Sequence, residues 1–77
     1  MKGYQPISVF CHAGFQGEEY PKSFIWGNTR LDIQKIEKRW REPGFRYFQV
    51  KSVEGQFFLL RCREIDFQWE GREIVKE

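Results

Sequence analysis

Three side chains in this sequence could act as soft metal ligands, or as a nucleophile with its base: Cys11, His12 and Cys62. A closed zinc site needs four ligands turned to one point. Cys11 and His12 are neighbours in a segment that alternates like a strand, and strand neighbours project to opposite faces. They are badly placed to share one ion, and the three together are one ligand short. The same adjacency places His12 poorly as a base for Cys11, which leaves His12 with Cys62 as the open pairing. Two distant cysteines without Cys-x-x-Cys spacing read as free thiols packed as small hydrophobes in a reducing compartment.

Carboxylates offer no better start. Glu18 and Glu19 adjoin in a glycine-containing stretch and read as a solvated loop tip. No glycine-rich phosphate loop is present. The sequence therefore predicts no catalytic residue, no metal and no cofactor, and the chain is not expected to be an enzyme.

The feature above this background is basic and aromatic. Residues 30–63 carry nine Lys and Arg against Asp32, Glu37, Glu42 and Glu54, a net of +5, within a chain of net +2. Residues 64–77 carry Arg72 and Lys76 against five acids, a net of −3. Lys35, Lys38, Arg39, Arg41 and Arg46 lead into a hairpin whose outer face would present Tyr47, Gln49, Lys51, Phe57, Leu59, Arg61 and Arg63. Small β-barrels hold single strands with a basic groove and aromatic platforms, each stacked base contributing about 1–3 kcal/mol. In that reading Lys51, Arg61 and Arg63 contact phosphates, Arg39 and Arg41 lie at the margin, and Tyr47 and Phe57 stack bases. The plainer readings are a solvated strand face or a protein partner anchored on Phe57 and Leu59. Salt separates them, because phosphate contacts weaken steeply with added salt.

Such a face has to be positioned by strands. The chain has 77 residues, which fits one domain with a thin core. Aromatic residues make up 18% of it, and each can bury on the order of 150–250 Å², so a small core can be filled without disulfides. Ile7–His12 alternates, with Ile7, Val9 and Cys11 on one side. Ala13–Glu19 reads as a loop, and Pro21 as the start or edge of a second strand, Lys22–Trp26. Gly27-Asn28 is a type II′ hairpin signal that pairs Trp26 with Thr29 and Phe24 with Leu31.

Leu31–Arg41 is ambiguous. As a strand it needs a bulge near Gln34-Lys35, because Leu31 and Ile33 are odd while Ile36 and Trp40 are even. As a helix it has Thr29 as a cap and Ile33, Ile36 and Trp40 on one face. The preceding hairpin favours the strand. Phe45–Val53 and Gln56–Arg63 form the best-defined unit. A three-residue loop, Val53-Glu54-Gly55, puts Val50 opposite Phe58 and Phe48 opposite Leu60. Phe48, Val50, Phe58, Leu60 and Cys62 then face the core. Ile65–Trp69 reads as a further strand, turning at Glu70-Gly71 and returning as Arg72–Val75. The expected fold is all-β: a small, strongly bent antiparallel sheet or SH3-like barrel of five to six strands, with one helix at 31–41 as the alternative.

Tyr20, Pro21, Phe24, Trp26, Gly27, Ile33, Ile36, Trp40, Arg46, Tyr47, Phe48, Val50, Gly55, Phe58, Leu60 and Trp69 together give a pattern that resembles a small bacterial domain family. A similar module closes the C-terminal end of ImuB-type proteins, polymerase-like partners in a mutagenic DNA-repair system. The resemblance implies a non-catalytic accessory module near DNA replication or repair, with single-stranded nucleic acid or a DNA-associated protein as its partner. It supplies no binding residues to carry over. No apolar run approaches the roughly 20 residues of a membrane span. Residues 1–15 lack an apolar signal-peptide centre, so a cytoplasmic location is expected.

Overall fold

A computed structural model of the chain describes residues 3–13 and 19–75. They form six antiparallel strands: β1 (Gln5–Ala13), β2 (Glu19–Trp26), β3 (Thr29–Glu42), β4 (Phe45–Ser52), β5 (Phe57–Arg63) and β6 (Trp69–Ile74). Each strand pairs with its neighbour in sequence, and β6 pairs back onto β1, so the sheet closes into a small barrel. The closing pairs are Gln5↔Gly71, Pro6↔Glu70 and Ile7↔Trp69. A Cβ at Gly71 would stand 2.9 Å from Ile7 Cδ1 and 3.0 Å from Leu60 Cδ2, so the missing side chain lets the strands approach at the seam.

Alternation in the sequence fills the interior. Phe24, Leu31, Phe48, Val50, Phe58 and Leu60 form the buried cluster, with Ile7, Val9, Trp26, Ile33, Ile36 and Trp69 packed around it. Phe24 and Trp26 both meet the Phe58 ring edge-on, with centroids 4.9 and 5.0 Å away. Such aromatic pairs add about 0.5–1.5 kcal/mol beyond the area they bury. The two hairpins adopt the expected registers. Phe24 faces Leu31 and Trp26 faces Thr29, while Val50 faces Phe58 and Phe48 faces Leu60. Gly27 and Gly55 take the left-handed φ that these turns require.

Residues 31–41 are strand, not helix. β3 carries the expected irregularity between Ile33 and Lys35, which turns both Ile33 and Ile36 inward. A second shift follows between Ile36 and Lys38. It reverses the alternation again, so Trp40 is turned outward, opposite Tyr47, instead of sharing a face with Ile36. The pairing of β3 with β2 ends at Asp32, whereas its pairing with β4 runs to Glu42. The far half of β3 therefore extends past β2.

Three further expectations differ from the structure. Pro21 lies inside β2, buried, where the pairing slips between Ser23 and Pro21 opposite Phe10 and Cys11. The irregularity accommodates a residue without an N–H. Residues 64–68 form a turn closed by Phe67 N–H to Arg63 C=O and Arg63 N–H to Gln68 C=O, not a strand. Glu70 and Gly71 sit within β6 instead of turning. The strand expected to begin at Ile65 is replaced by a turn that leaves Ile65 and Phe67 exposed. Of the loop expected at Ala13–Glu19, residues 14–18 lie outside the described residues; Ala13 ends β1 and Glu19 begins β2.

Candidate functional site

Because paired residues share a face, the outer wall of β3–β6 is read in rows. One row runs Lys35, Lys51, Phe57, Ile74; the next runs Lys38, Gln49, Leu59, Arg72; the third runs Trp40, Tyr47, Arg61, Glu70. Tyr47 and Arg61 thus share a row, and so do Lys51 and Phe57. Arg63 lies one row further, across from Phe45. Arg39 and Arg41 alternate with Trp40 and belong to the other side of β3.

Partners decide what each residue can offer. Tyr47 is only 9% exposed, and its ring lies parallel to Trp40, with centroids 5.1 Å apart. Its stacking face is already occupied. Trp40 is 37% exposed and is the aromatic plane left open on this row. Its indole N–H donates to Glu42 Oε2 at 3.3 Å. A two-residue Pro43-Gly44 turn alone sets Trp40 opposite Tyr47, so the signal was present in the sequence. Phe57 is half-buried, with the Lys51 ammonium 5.8 Å from its centroid.

Arg61 is committed. Its Nε donates to Glu70 Oε1 at 2.7 Å, and its guanidinium lies over Tyr4 at 3.9 Å and Phe45 at 4.5 Å. Burial opposes its charge, but bonds and attraction from Glu70 and Tyr47 outweigh this and raise its pKa. Arg63 reaches Asp66 at 3.3 Å and the second Glu70 oxygen at 3.4 Å. Arg41 stands 3.9 Å from Glu64, with both side chains well exposed. The acidic tail of the sequence therefore lies against both arginines assigned to phosphate contact, Arg61 and Arg63, and against Arg41 at the margin.

Lys35 and Lys51 are different. They are paired directly across the strands, with Lys38 one row on. Among the described residues, none of these three is in an ion pair with an acid. Glu37 lies among them, at the second irregularity of β3, and accepts a hydrogen bond from Gln49 at 3.2 Å.

The thiols and the histidine do not converge. Cys62 is buried and Cys11 half-buried, both on inward positions, while His12 is exposed and rests against Tyr20, with ring centroids 5.3 Å apart. Burial pushes both thiols up, and Glu19 adds to the rise. Among the described residues, no three His, Cys, Asp or Glu side chains are grouped to hold a metal ion. No protein-family model, curated protein or solved structure matches this chain.

Proposed function

We propose that this domain is a non-catalytic module that binds single-stranded nucleic acid weakly and without sequence preference, on the outer wall of β3 and β4. The observation that carries this reading is the Lys35–Lys51 pair, with Lys38 beside it and the open Trp40 indole in the same wall. Like charges directly opposite one another destabilise a sheet, and a bound polyanion removes that penalty. Lys35, Lys38 and Lys51 contact phosphates, and a base stacks on Trp40. Arg61, Arg63 and Tyr47 support the wall through Glu70 and Trp40 and take a lesser part in contact. Two thiols with pKa values raised by burial, and a single histidine that is exposed against Tyr20, support a binding role over nucleophilic catalysis. A setting in DNA replication or repair rests on the resemblance of the sequence alone.

The experiment is a titration of short fluorescent single-stranded DNA and RNA with the protein at low and moderate salt. Binding should weaken with a slope of about 0.7 per phosphate contact in log–log form. It should weaken further in Lys35→Ala/Lys51→Ala and in Trp40→Ala. Absence of binding at low salt, or binding indifferent to all three substitutions, defeats the reading. A partner of the protein class anchored on Phe57 and Leu59 would then remain to be tested by Leu59→Ala.

A further inference from the structure

The second shift in β3 has an effect on the inner side of that strand as well. Arg39 and Arg41 point to the side that carries Ile33 and Ile36, but they do so beyond Asp32, where β2 no longer pairs with β3. Arg46 of β4 is paired directly with Arg41. The three arginines line one cleft of about 220 Å³ at the barrel mouth, with Glu19, Trp40, Tyr47 and Phe48 completing the wall. Among the described residues Arg39 and Arg46 are in no ion pair with an acid. The Arg41–Glu64 contact, at 3.9 Å between exposed side chains, adds little.

We infer that this mouth is a binding site for a phosphate monoester. Among the described residues, three guanidinium groups against one carboxylate leave an excess of two positive charges in the lining. A phosphate monoester carries about −1.5 to −2 near neutral pH, which matches that excess. Guanidinium forks bind its oxygens in pairs, which an ammonium cannot do. The cleft has several times the roughly 30 Å³ share of one water, enough for a phosphate group. Arg41 opposite Arg46 is an unfavourable pairing, and an anion between them relieves it. Trp40 lines this cleft as well as the outer wall, so a nucleoside attached to the phosphate meets its indole.

The phosphate comes either from the end of a strand lying on the β3–β4 wall or from a free mononucleotide. The first source rests on the function proposed above; the second does not. The test compares short single strands bearing a 5′-phosphate, a 3′-phosphate or hydroxyls at both ends. A nucleoside monophosphate and inorganic phosphate are run as competitors against chloride at equal ionic strength. Arg39→Gln, an exposed position, and Arg39→Gln/Arg46→Gln are the variants, and the arginine Nε–Hε resonances are followed by NMR.

One phosphorylated strand binding at least about tenfold tighter than the hydroxyl strand, with the preference lost in Arg39→Gln, supports the strand-end source. Equal binding of all three strands, or no strand binding at all, with a nucleoside monophosphate still shifting the arginine resonances of the wild type alone, supports the free source. Strand binding lost in Lys35→Ala/Lys51→Ala tests the outer wall separately. No preference among the strands and no response of the arginines to either competitor overturns the inference, whatever the outer wall does.

Discussion

Between β5 and β6 the barrel wall sets arginines beside acids, and between β3 and β4 it sets cations opposite cations. Arg61 and Arg63 share Glu70, and Asp66 takes a second Arg63 nitrogen. Lys35 faces Lys51 and Arg41 faces Arg46. A domain of net +2 could have distributed its acids to neutralise both regions. The pairing neutralises the first region closely and sets like charges opposite one another in the second, where the Arg41–Glu64 contact is long and exposed. Under the proposed function, a bound anion would offset that repulsion.

The largest change that can be made to this contrast is to remove the core beneath it. Phe58 is fully buried against Phe24 and Trp26, on the strand paired to β4 on one side and β6 on the other. Phe58→Ala should cost about 3–5 kcal/mol in urea unfolding, and both walls should lose their character together. A loss under about 1 kcal/mol would mean that the barrel is not held by this cluster.

Glu70→Gln sharpens the contrast from the neutralised side. It removes the charge that Arg61 and Arg63 share, and should lower stability by about 1–3 kcal/mol, seen as a lower denaturation midpoint at constant slope. The same variant should bind single-stranded nucleic acid more tightly, because two arginines are released. Weaker binding would show that the β5–β6 wall contributes as it stands.

Alkaline pH reaches the barrel mouth from within. Cys11 and Cys62 have folded pKa values raised by burial above the ordinary thiol value of 9.0. Below 9.0 both states hold the protons and nothing changes. Above it the unfolded chain ionises first, so stability should fall as pH rises through the folded values. Melting temperature measured from pH 7 to pH 10 checks this, and a rise across that range would contradict it. Alkylation of the native protein at neutral pH should correspondingly be slow and should speed up on unfolding.

The smallest expected effect is the most discriminating. Lys35→Glu places opposite charges across β3 and β4 and should stabilise the domain by about 0.2–1 kcal/mol. It should weaken nucleic-acid binding at the same time. Stability and binding moving together in the same direction would remove the reason given for the unpaired lysines.

Much of the fold was legible because short-range rules fix it. Alternation and turn type selected the register of both hairpins, since a slip of one residue would have exposed Phe48, Val50, Phe58 and Leu60 together. The first irregularity of β3 was legible from the parity change between Ile33 and Ile36. The second was not legible from the residues around it, because Glu37, Lys38 and Arg39 are all polar and Ile36 and Trp40 share a parity; its one signal was the two-residue Pro43-Gly44 turn, which pairs Trp40 with Tyr47. That single shift decides that Trp40 faces outward over Tyr47 and that Arg39 and Arg41 line the mouth. The turn at residues 64–68 was hidden by Ile65 and Phe67, whose types suit a strand and whose side chains instead lie exposed.

The sequence by itself determined the all-β class, the core of the central hairpin, the two glycine turns and the pool of cations between residues 30 and 63. Those follow from period-two alternation and local backbone preference, which act within a few residues. Only the tertiary structure decided which cations stand without an acid. Closure of β6 against β5 and β1 carries Glu70 to Arg61 and Arg63, and among the described residues no acid forms an ion pair with Lys35 or Lys51. Neutralisation depends on distances of a few ångströms between groups far apart in the chain, and a count of charges along the sequence does not contain them.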